Sequence, residues 1–132
     1  MSTNFYVIID RCDACGRQDR FHLGKRAAGW SFLFRGYKEY NPEDYGDQPI
    51  IPIEKYQEVS IGSRKEWLAF FGTVGKSATL ISQYEETYDS REFLESLEPP
   101  TAAQIAWEDK NQFRLPRARD EEGFRVSYDE FC

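Results

Sequence analysis

The chain has one histidine, one methionine and three cysteines among 132 residues. A single histidine leaves no second ring for a His-x-x-x-His half-site, and no Ser-His-Asp or Cys-His spacing stands out for acyl transfer. Three cysteines, two of them in one Cys-x-x-Cys pair, do not make a secreted disulfide framework. In a reducing cytosol such a pair is more often metal-binding or redox-active. No apolar run approaches the roughly 20 residues that span a bilayer, so no membrane association is expected. The stretch from Met1 to Asp10 lacks a basic segment and a small-residue cleavage site. It reads as a strand and not a signal peptide, and a cytoplasmic location is expected. There is no internal repeat and no low-complexity tract.

Aromatic residues are plentiful, with 3 Trp, 8 Tyr and 10 Phe. Together with a 40% apolar fraction they predict one well-packed domain over residues 1–132. The net charge of −6 is uneven. Residues 11–38 carry seven Arg or Lys against two Asp, whereas residues 81–99 carry six acids against Arg91. A uniformly basic nucleic-acid surface is therefore not expected. The two stretches either meet charged partners separately or intermix in space as solvated faces.

The run Phe5 to Ile9 has strand composition and length. A second short strand is expected at Arg20 to Leu23, ended by Gly24. A third, Trp30 to Arg35, places Trp30, Phe32 and Phe34 on one face by period-two alternation. Residues 38–62, with Pro42, Pro49 and Pro52, read as a long connection carrying a strand near Glu58 to Ile61. Ser63 and Glu66 form a capping box before a helix that Gly72 ends. Ala78 to Tyr84 reads as a strand. Asp89 caps a short helix with Phe93, Leu94 and Leu97 inward, and Pro99-Pro100 stop it. Thr101 starts a third helix with Ile105 and Trp107 facing inward. Phe124, Val126 and Tyr128 alternate as a closing strand. The predicted class is α+β: an N-terminal antiparallel three-strand meander with a Cys-x-x-Cys knuckle, further strands, and two to three short helices packed on one sheet.

Cys12 and Cys15 can ligate one zinc ion, and Gly16 lets the following backbone turn its amides toward sulfur. A structural site needs two more ligands. His22 lies on the strand returning from the knuckle, and Cys132 is the remaining thiol. Cys12, Cys15, His22 and Cys132 would make a Cys3His site that pins the hairpin, with no acid spaced as a zincin-type base. The plainer alternative makes Cys12 and Cys15 reduced turn residues and His22 a hydrogen-bonded strand residue. A redox role is disfavoured because Gly16 to Arg20 leads into a strand, not a helix whose dipole would lower a thiol pKa.

Lys25 and Arg26, in a turn bounded by Gly24 and Gly29, could hold a phosphate, although the P-loop spacing is absent. Trp30, Phe32 and Phe34, with Tyr37, could stack bases, although such stripes are more often core. A nucleic-acid or nucleotide binder would thus use Arg17, Arg20, Lys25, Arg26 and Trp30. The acids Glu85, Glu86, Glu92 and Glu95 would instead face a basic partner.

The pattern of Cys12, Cys15, Gly16, Arg17, Asp19, His22, Leu23, Gly24, Lys25, Ala28, Gly29, Trp30 and Phe32 resembles the N-terminus of a widespread set of small phage and prophage proteins. Glu66-Trp67 and the acidic segment Ser90 to Phe93 extend the resemblance loosely. The family pattern carries no established activity and no terminal cysteine, so no catalytic residue transfers. The resemblance implies a virus-encoded protein at work in a bacterial cytoplasm. The expected function is a non-enzymatic interaction protein that binds and inhibits or redirects a host protein or complex, such as an anti-defence protein of the anti-CRISPR kind. The alternatives are a nucleic-acid or nucleotide-binding module with a zinc-knuckle-like hairpin, and a Cys-x-x-Cys oxidoreductase.

Overall fold

Alternation builds the first strand. Phe5, Val7 and Ile9 of β1 (Ser2–Ile9) are buried in one core cluster, and Asn4, Tyr6 and Ile8 take the opposite face. This is a computed structural model, and it describes residues 2–9, 19–41, 43, 50–51, 56–75, 78–111 and 118–128. The Cys-x-x-Cys segment, residues 10–18, lies outside the described residues.

The remaining elements follow in chain order as β2 (Asp19–Ala27), β3 (Leu33–Arg35), α1 (Arg64–Val74), β4 (Ala78–Ser82), β5 (Thr87–Tyr88), α2 (Ser90–Ser96), α3 (Ala102–Asn111), β6 (Ala118–Arg119) and β7 (Arg125–Ser127). The strands form one seven-stranded sheet in the order β5-β4-β1-β2-β3-β7-β6. β3 and β7 run parallel and every other neighbouring pair is antiparallel, so the fold is α+β with a mixed sheet. Trp67, Phe70 and Phe71 of α1 and Phe93 and Leu94 of α2 pack on the Phe5 face. Phe21 stacks on Trp67, and Phe5 meets Phe93 at 4.6 Å between ring centroids. Each such aromatic pair contributes about 0.5–1.5 kcal/mol beyond its area burial.

Several boundaries differ from the sequence reading. β2 does not stop at Gly24 but continues to Ala27, so Lys25 and Arg26 lie on a strand and not in a turn. The register with β1 shifts by one residue between Phe5 and Tyr6, and Leu23 is the extra residue. Gly24 is required there: an added Cβ would lie 2.4 Å from Phe32 Cε1 and 2.5 Å from the Leu33 carbonyl oxygen. The turn comes later, at Gly29, where φ is +81°. β3 begins at Leu33, which removes Trp30 from the aromatic strand face while Phe32 and Phe34 stay in the core. α1 passes through Gly72 and ends at Gly75, the glycine with φ +66°. In the capping box Ser63 Oγ accepts from Glu66 N, whereas Glu66 Oε1 accepts from Gly62 N, one residue before the cap. In place of a strand at Glu58 to Ile61 there is a single bridge, Tyr37 with Ile61, closed by two 2.8 Å hydrogen bonds.

Gly24→Ala should therefore cost about 1–3 kcal/mol or more through overpacking against Phe32 and backbone. Gly29→Ala, which meets only open space, should cost about 1–2 kcal/mol through its positive φ. Urea unfolding measures both, and a Gly24→Ala change within about 0.5 kcal/mol of wild type would refute the close approach.

Candidate functional site

Three charged regions are built on this sheet. The first is a cleft that Tyr6, Arg20 and His22 reach from the face opposite α1 and α2, and that Phe21 and Tyr37, packed on Trp67, reach from the core side. Antiparallel pairing sets Tyr6 beside His22, and their rings stack at 5.1 Å and 25°. The Arg20 guanidinium lies 4.0 Å from the Tyr6 ring centroid, a cation–π contact on the same tyrosine. Arg35 of β3 lies 5.0 Å over the Tyr37 ring. With Phe21 and Ile50 these residues line a cavity of about 450 Å³. Its lining among the described residues includes two arginines and no carboxylate. His22 is buried, with Nε2 3.0 Å from Asn4 Oδ1 and 3.1 Å from the Gly24 carbonyl oxygen. Both partners are acceptors, so Nε2 carries the hydrogen. The Tyr37 hydroxyl donates to the His22 carbonyl at 2.7 Å and closes the floor.

The second region is the free edge at β5. Residues 83–89 are exposed without interruption, and Tyr84 and Tyr88 expose 58% and 38% of their surface. Glu85, Glu86 and Asp89 stand between and beside them. The turn is held tightly although it is exposed. Buried Ser82 Oγ accepts from the Tyr84 and Glu86 amides, and Glu85 adopts φ +66°. Gln83 accepts from the Asn4 amide, and its own amide donates to the Asn4 carbonyl.

The third region is internal. Glu108 of α3 has no exposed surface. Burial alone would push its carboxyl up. Donors from Gln104, from the Ser31 amide and hydroxyl and from Arg119 outweigh this and hold it below the ordinary carboxylate range. Arg119 also donates to Asp109 and to the Gly123 carbonyl. Arg125 donates to the Ser31 carbonyl at 2.6 Å and covers the Trp30 ring at 5.0 Å. This cluster fastens the 28–31 turn to α3 and to the β6–β7 hairpin. Both oxygens of the Glu108 carboxylate are met by donors, which is the chemistry of a clasp and not of a poised acid.

The residues singled out from sequence are dispersed. Arg20 and His22 meet in the cleft. Lys25 lies on the same face beside Asn4. Arg26 lies on the other face, over the Phe93 ring at 5.3 Å and in a cavity with Asp89 and Glu92. Trp30 packs edge-on to Trp107 at 4.9 Å. The expected basic patch is thus split, and Arg26 of the basic stretch sits among acids of the acidic one. Glu85 and Glu86 share the β5 edge, whereas Glu95 pairs with Arg91 at 3.0 Å. Trp107 does not face inward: it is 46% exposed, and Glu108 takes the buried position. Cys12, Cys15, Arg17 and Cys132 lie outside the described residues. Among the described residues no group of three or more His, Cys, Asp or Glu is placed to hold a metal ion. Sequence reasoning missed Tyr6 and Arg35 in the cleft, and grouped Tyr37 with the aromatic stripe and not with Arg20 and His22. The signal for Arg35 was available, as an arginine alternating with Phe34 on a buried strand.

No protein-family model, curated protein or solved structure matches the chain. No described helix is long and apolar enough to cross a membrane.

Removing the buried carboxylate with Glu108→Ala should cost about 3–5 kcal/mol, because Arg119 then loses its buried counter-charge. The folded Glu108 titrates below its unfolded value of about 4.3, so its stabilisation is complete above that pH and is lost as pH falls through the lower folded value. Between about pH 5 and pH 3 wild type should lose stability more steeply than Glu108→Gln. Parallel acid slopes in chemical denaturation would reject the linkage.

Proposed function

We propose that the protein is a non-enzymatic interaction module of the phage type, which binds and inhibits or redirects a host macromolecule in the bacterial cytoplasm, as anti-defence proteins of the anti-CRISPR kind do. The observation that carries this reading is the β5 edge: a rigid turn, exposed from 83 to 89, presents Tyr84 and Tyr88 among Glu85, Glu86 and Asp89. Tyrosines supply contact area at low entropic cost and are enriched in protein interfaces. Carboxylates beside them favour a basic protein surface and repel nucleic acid. The Ser82 and Asn4 hydrogen bonds hold the turn in advance, which lowers the ordering cost of binding.

The reading gives Cys12 and Cys15 a structural zinc, with His22 and Cys132 completing the ligand set. The Cys-x-x-Cys spacing and the place of His22 on β2, the strand that follows the Cys segment in the chain, support it. Metal analysis of protein purified without added zinc should find about one ion per chain. A ratio near zero ends the zinc assignment and leaves the edge untouched.

Tagged protein in phage-infected cells should retain one host protein or complex, and the Glu85→Lys, Glu86→Lys double variant should lose it. The variant should fold normally, because exposed substitutions of this kind shift stability by about 0.5 kcal/mol or less. Retention of the same partner by the double variant would remove the edge from the interface. Absence of any partner specific to wild type would remove the function.

A further inference from the structure

We propose that the β5 edge receives an extended, lysine- or arginine-bearing segment of its partner as an added strand. This rests on the β5 edge being the interface and specifies what the partner presents to it. β5 ends the sheet and pairs only with β4 among the described strands. Glu86 turns both of its backbone groups toward β4: its carbonyl accepts from the Ser82 amide at 2.8 Å, and its amide donates to Ser82 Oγ. Backbone groups alternate in direction along an antiparallel strand, so Thr87, opposite Ile81, directs its N–H and C=O off the sheet. Thr87 is exposed, and those two groups are the pair that a further strand would bond. The segment is already extended and is held by the Ser82 contacts, so binding needs little ordering on this side.

Charge chooses the occupant. Glu85, Glu86, Asp89 and Glu92 are exposed along the edge and at the start of α2. Two copies paired β5 to β5 would set these acids against each other, so the charges that blunt self-association favour a basic strand. A strand presents alternate side chains to opposite faces. On the face toward α2, Tyr88 meets the Phe5 and Phe93 rings and opens onto a cavity of about 310 Å³ shared with Arg26, Asp89, Glu92 and Ser96. Arg26 lies there over the Phe93 ring at 5.3 Å, and the two carboxylates outnumber it. A lysine or arginine on that side of the added strand meets carboxylates and the Tyr88 ring together.

Fluorescence anisotropy on the full chain tests this with labelled decapeptides: alternating lysine and valine, alternating glutamate and valine, and the lysine peptide with its internal amides N-methylated. The unmodified lysine peptide should bind at least about tenfold more tightly than either of the others. Its binding should slow exchange of the Thr87 amide hydrogen at least about tenfold, a measurement that needs no variant. Thr87→Pro removes the outward N–H, which an edge strand tolerates, and should weaken the lysine peptide about tenfold. The Glu85→Lys, Glu86→Lys variant should weaken it at least as much. Glu121→Lys, in the β6–β7 turn at the opposite end of the sheet, should leave it unchanged. Strand addition is overturned if the lysine peptide does not bind, if the glutamate or N-methylated peptide binds as tightly, if Thr87 exchange is unaltered, or if Thr87→Pro binds like wild type. A host partner retained by Thr87→Pro and lost by the double lysine variant would also overturn strand addition, while leaving the edge as the interface.

Discussion

The seating of Phe32 on Gly24 is the constraint from which the charge distribution follows. Gly24 leaves room for the Phe32 ring where any Cβ would collide with it. The strand can then carry an extra residue at Leu23 while both Leu23 and Phe32 remain in the core. The extra residue inverts the parity of everything after it. Strict alternation would have set Arg26 beside Arg20 and His22 and turned Lys25 toward the helices. The shift instead sends Arg26 to Phe93 and the acids of α2, and leaves Lys25 on the cleft face. One bulge therefore decides which face of the sheet each of these two cations takes.

Two carboxylate–arginine clasps fix the far side of the sheet, and both end on the β6–β7 hairpin. Arg119 of β6 reaches Glu108 of α3. Glu122 in the hairpin turn receives both Nε and Nη2 of Arg64, at the start of α1. The same arginine donates through Nη1 to the Leu94 and Leu97 carbonyls, which close the C-terminal end of α2. Asp120 accepts from the Arg64 amide and from the Glu122 and Phe124 amides. Buried ion pairs of this kind often contribute little net stability against an apolar replacement. Their geometry is demanding, however. A hairpin two residues wide on β6 has little ladder of its own, and these clasps pin it against all three helices.

The parts of the fold that were legible in the sequence are those governed by local chemistry. Ser63 and Asp89 cap helices because each presents a side-chain oxygen to an amide three residues on. Phe5 to Ile9 and Phe124 to Val126 follow from alternation. The rest depended on contacts distant in sequence. β5 and β6 are two-residue strands that exist only because β4 and β7 lie beside them. The bulge needs Phe32, eight residues away, to explain Gly24. Trp107 and Glu108 exchanged their expected places because Ser31 and Arg119 supply donors that no helical periodicity reveals. The cleft was half legible: Arg20 and His22 were singled out, but Tyr6 and Arg35 join them only through strand pairing.

A net charge of −6 does not decide what the two outward regions can bind, because charge acts locally. At physiological ionic strength the screening length is about 8 Å. The acids at β5 and the Arg20 rim on β2 are three strand positions apart, about 14 Å at the usual spacing of neighbouring strands. That is nearly two screening lengths, so the charges of one region act only weakly on the other. Beyond the β1 ladders to β4 and β2, Asn4 links the two regions by hydrogen bonds. It meets Gln83 through its backbone and side-chain amides, and accepts from His22 at Oδ1. The sheet therefore separates the two regions electrostatically while joining them mechanically.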